Sequence, residues 1–63
     1  MTQKELLYVE DAIGHEKNII SILKETLNYL ESEELVNFIQ KELEFHQERN
    51  DNLINLLKEE SYE

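Results

Sequence analysis

Leu27-Asn28-Tyr29-Leu30-Glu31-Ser32-Glu33-Glu34-Leu35-Val36 joins two apolar repeats through a short acidic break. Within it, Ser32 is suited to cap a following helix, and Glu33 and Glu34 favour the positive end of that helix. Upstream of the break, Leu6, Val9, Ile13, Glu16, Ile20, Leu23, Leu27 and Leu30 recur at alternating steps of three and four. That spacing is the a/d seam of a heptad repeat, interrupted only by Glu16. Downstream, Val36, Ile39, Leu43, His46, Asn50, Leu53 and Leu57 form a second seam, also interrupted in its middle. Thr2 with Glu5 fits a capping box at the start of the first helix.

The spacing therefore predicts an all-α chain: helix 1 over about residues 3–30, a turn at 31–33, and helix 2 over about 33–60. Each helix spans roughly 42 Å at 1.5 Å per residue. A connection this short forces the two to lie antiparallel, so residues whose numbers sum to about 63 face each other. Leu27 meets Val36, Ile20 meets Leu43, and Leu6 meets Leu57.

The apolar arc is wider than one seam. Helix 1 adds Ala12 and Ile19, then Tyr8, Ile22 and Tyr29; helix 2 adds Leu35 and Leu56, then Phe38 and Phe45. An arc four heptad positions wide exceeds what a two-helix contact covers. A dimer of hairpins, forming a four-helix bundle or a larger helical assembly, is the expected solution. Ile13, Ile20, Leu23, Leu27, Ile39, Leu43 and Leu53 are the residues expected to carry that oligomer interface. Gly14 falls on the far side, where a bend or a closely crossing helix would account for it.

Composition points the same way. One domain of 63 residues, with no cysteine and no proline, has no disulfide to staple it, and such scaffolds rely on oligomerisation or unusually good packing. Fifteen acidic residues against six basic ones give a net charge of −9, which repels phosphate backbones and anionic membrane surfaces. The uncharged run from Asn18 to Leu23 is far short of a membrane span. Lys4, Glu5, Glu10 and Asp11 interrupt any signal-peptide core, so the expected setting is cytoplasmic, or a deposit laid down without secretion.

Both seam interruptions lie at one height. Glu16 comes level with His46, Arg49 and Asn50, and Glu42 stands one turn before His46. A buried carboxylate requires a partner. One reading is a buried polar layer of Glu16, His46, Arg49 and Asn50 that fixes register. The other is a divalent-metal site of Glu16, Glu42 and His46, doubled by dimerisation. Against the latter, Glu42-Leu43-Glu44-Phe45-His46 offers spacings of four and two where di-iron bundles use Glu-x-x-His, and Arg49 repels a cation. Asp11 and His15 share a spacing of four, but Asp11 falls on the solvent side. No phosphate-binding loop or cysteine nucleophile is present, and Ser21, Ser32 and Ser61 stand without a base, so no catalytic residue, organic cofactor or enzymatic role is assigned.

The segment Gln3-Lys4-Glu5-Leu6-Leu7-Tyr8-Val9-Glu10-Asp11-Ala12-Ile13-Gly14-His15-Glu16-Lys17 resembles the opening of short spore coat proteins of the coat F family, which are ferritin-like. Glu33-Glu34-Leu35 and the stretch from Lys41 to Gln47 continue the likeness, which covers about residues 3–58. The resemblance implies half of a ferritin-like bundle, linked to sporulation, with a structural, non-catalytic role and partners that are copies of itself or other coat proteins. It places Asp11, His15, Glu16 and His46 at the family's patterned positions. A metal-binding half-bundle completed by dimerisation, and a helical adaptor or inhibitor that lends its face to a different protein, are the alternative roles.

Overall fold

A computed structural model describes residues 1–61, with side chains through Glu59. Two helices, α1 (Gln3–Leu27) and α2 (Glu33–Ser61), form an antiparallel hairpin about 47 Å long and 14 Å by 11 Å across. The α1 start is the capping box that Thr2 and Glu5 foretell. Thr2 Oγ1 accepts from the Glu5 amide at 3.1 Å, and Glu5 Oε1 accepts from the Thr2 amide at 2.8 Å. Those bonds to Thr2, backbone first, hold the Glu5 carboxyl below its ordinary range.

Helix α1 ends at Leu27, three residues short of the expected Leu30. The last turn tightens: the Asn28 amide donates to the Glu25 carbonyl and the Tyr29 amide to that of Thr26, both at 3.0 Å. Thr26 Oγ1 also donates to the Ile22 carbonyl at 2.8 Å, a local bond that competes with regular helix. The reversal therefore occupies residues 28–32, wider than the three residues expected. It needs no left-handed residue, since no positive φ occurs among the described residues. Ser32 caps α2 as foreseen, with its hydroxyl 3.3 Å from the Leu35 amide and its carbonyl 2.9 Å from that of Val36.

The a and d residues line the seam between α1 and α2. Ile13 is the one buried apolar side chain among the described residues, at 8% exposure, while Ile20, Leu23, Leu27, Ile39, Leu43 and Leu53 are half-buried. Within the chain these seven lie along the α1–α2 seam, and six of them keep part of their surface exposed.

Little is buried in total. The accessible surface is 5191 Å², whereas a compact monomer of this mass has about 4300 Å². Leu7, Tyr8, Ile22, Tyr29, Phe38 and Phe45 are more than half exposed, Tyr29 reaching 77%. No helix among the described residues is long and apolar enough to cross a membrane.

Candidate functional site

The polar residues that break both seams meet at mid-height, as their numbering predicts. Glu16 occupies a d position of α1 and is only 7% exposed. Its Oε2 lies 2.6 Å from His46 Nδ1 on α2. A carboxylate only accepts, so this ring nitrogen carries the proton and donates. Arg49 Nε approaches the other oxygen, Oε1, at 3.5 Å, but the Arg49 side chain is 60% exposed and its charge is screened by water. The His46 bond is therefore the main compensation for placing a carboxylate in the seam.

His46 is held from three sides. Glu16 takes its Nδ1, the Phe45 ring stands edge-on with centroids 5.3 Å apart, and Glu42 Oε2 lies 3.9 Å from Nε2. The last distance is beyond a hydrogen bond. Asn50 completes the layer at 8% exposure, and its Oδ1 is buried with no hydrogen-bond partner. Three residues of the foreseen polar layer, Glu16, His46 and Arg49, are thus brought together, and the fourth, Asn50, is buried on α2 one turn after His46.

The metal set is not. Glu16 and Glu42 sit at opposite nitrogens of the His46 ring. Imidazole directs its two nitrogens apart, so one ion cannot take the ring and both carboxylates. Among the described residues no group of three or more His, Asp or Glu side chains is arranged to hold a metal ion. Sequence spacing places Glu42 and His46 on one face but is silent on which nitrogen each carboxylate meets. The outer pair Asp11 and His15 is exposed, as expected for Asp11.

A second feature lies beside the layer. In heptad terms Tyr8, Ile22 and Tyr29 of α1 occupy c positions; in α2, Leu35 and Leu56 occupy g, and Phe38 and Phe45 occupy c. These seven are among the nine exposed large apolar residues of the described chain. In an antiparallel pair the g and c flanks of both helices fall on the same side, so these residues share one face of the hairpin. Phe45 and Arg49, with Glu48 and Asn52, line a shallow open groove on it. Ile54, half-buried beyond the other edge of the seam, is an apolar contact that the heptad reading passed over. It lies at an e position outside the arc, and its isolation there hid it. Set against known proteins, the chain matches no family model, no curated protein and no solved structure.

Proposed function

We propose that this chain is a small non-catalytic structural or assembly protein, resembling coat F-type spore coat proteins, that associates with copies of itself through its apolar g/c face. The observation that carries the reading is the bare apolar face itself. Seven large apolar side chains left exposed along one side of a folded hairpin mark an interaction surface. The geometry fits as well. On each helix the g/c direction stands roughly 110° from the a/d seam, near the right angle between neighbours in a four-helix bundle.

Sedimentation equilibrium tests it at micromolar concentration. The expected result is a species of two or more 7.6 kDa chains. A chain that is helical, cooperatively folded and monomeric across that range overturns self-association and favours an adaptor that meets a different protein.

A further inference from the structure

Resting on the self-association just proposed, we infer that the second copy docks through a two-fold axis that crosses the hairpin at right angles to its helices, between Asn18 and Ile19 on α1 and beside Phe45 on α2. Each helix then packs on its own counterpart in the partner, antiparallel. The reason is a pattern in the g positions of α2, which read Leu35, Glu42, Arg49, Leu56. Reversed, the same positions read Leu, Arg, Glu, Leu. An antiparallel copy therefore sets Leu35 against Leu56, and Glu42 against Arg49, twice over. Phe45, at the centre, meets the partner's Phe45.

The pattern is self-complementary in charge as well as shape, as an isologous interface requires. Glu42 and Arg49 lie about 10.5 Å apart along the helix. Both are available: Glu42 is 3.9 Å from His46, outside hydrogen-bond reach, and Arg49 uses only Nε toward Glu16. The remaining guanidinium donors suit a carboxylate arriving from the partner.

Helix α1 agrees independently. Its c positions begin and end with Tyr8 and Tyr29, whose midpoint falls between Asn18 and Ile19. In the observed register, in which Glu16 meets His46, that level falls between Leu43 and Glu44, about two residues or roughly 3 Å from the α2 centre beside Phe45. One axis thus serves both helices to within about half a turn. The alternative axis, parallel to the helices, stacks α2 on the partner's α1. It leaves Glu42 and Arg49 facing Ala12, Ile19 and Ile22, with no opposite charge to meet.

Three variants test the axis, compared by sedimentation with wild type. E42R sets like charges against the partner's Arg49, and R49E does the same against Glu42, so each alone weakens the dimer about tenfold or more. An equimolar mixture of E42R and R49E restores a tight heterodimer, because every facing pair is again opposite. Rescue only in trans separates this from the loss of the Arg49–Glu16 contact, which persists in the mixture. F45C, in a chain with no other cysteine, oxidises to a cross-linked dimer. A wild-type dimer in which F45C does not cross-link and mixing gives no rescue overturns the axis while leaving self-association intact. A wild type that never dimerises overturns both.

Discussion

Replacing Glu16 by alanine removes the one carboxylate in the α1 seam and leaves His46 Nδ1 without an acceptor in a site where its side chain is 18% exposed. A hydrogen bond to a charged group contributes about 1.5–3 kcal/mol. The Arg49 contact adds little, about 0–1 kcal/mol, because its N–O distance is 3.5 Å and the arginine is mostly in water. Glu16→Ala is therefore expected to cost about 2 kcal/mol, which in a chain this small lowers Tm by roughly 8–16 °C. Circular dichroism melts at one fixed chain concentration measure it, since an associating protein melts at a concentration-dependent temperature. Glu16→Gln keeps the shape and a neutral acceptor and should recover about half the loss. Glu16→Leu should melt near wild type, because burial of a leucine at a d position offsets the lost bond. A Glu16→Ala melt within 2 °C of wild type refutes the reasoning, for it means the bond is no better than the water it displaces.

Three other outcomes follow from described features. Gly14→Ala should raise stability by about 1 kcal/mol, because a Cβ there meets nothing within 4 Å, and sedimentation should show the oligomeric state unchanged. Glu5, whose pKa is lowered by its bonds to Thr2, stabilises the first turn fully above the ordinary carboxylate range and loses that effect as pH falls through its lowered folded value. Amide exchange at Leu6 and Leu7 should speed up over that acidic window in wild type, and Thr2→Ala, expected to cost about 1 kcal/mol, should weaken the pH dependence without abolishing it, because the Thr2 backbone amide still donates to Glu5. Zn(II) or Mn(II), added after EDTA treatment, should leave Tm unchanged because Glu16 and Glu42 address opposite nitrogens of His46; a rise in Tm with metal excess, lost in His46→Ala, would refute that geometry.

Most of the hairpin is legible in the spacing of its apolar residues, since two heptad repeats and four polar residues leave few topologies. The capping box is legible too, because Thr2 and Glu5 need only each other. The end of α1 is not. Tyr29 and Leu30 continue the apolar period, and periodicity cannot register that the Asn28 and Tyr29 amides have switched to three-residue bonds. The heptad period alone does not assign Ile20 and Leu43 to one chain, because intrachain and interchain seams share it; the short acidic break does, by forcing the two helices antiparallel. The polar layer is legible by height, while the failure of Glu16, Glu42 and His46 to converge depends on side-chain direction. The orphaned Asn50 carbonyl oxygen carries no sequence signature at all.

The five-residue reversal at 28–32 also governs the order in which the hairpin opens. Contacts beside it, such as Leu27 with Val36, close a loop of about nine residues, whereas Leu6 with Leu57 closes about fifty-one; the difference in closure entropy is about 1.5 kcal/mol. The turn-side rungs therefore form first and hold the outer ones close, and the seam parts from the end away from the turn. Glu16 and His46 sit partway along, so the hydrogen bond between them acts as a latch: the turn-proximal half stays paired when the outer half has parted, and only loss of the latch lets the opening run through.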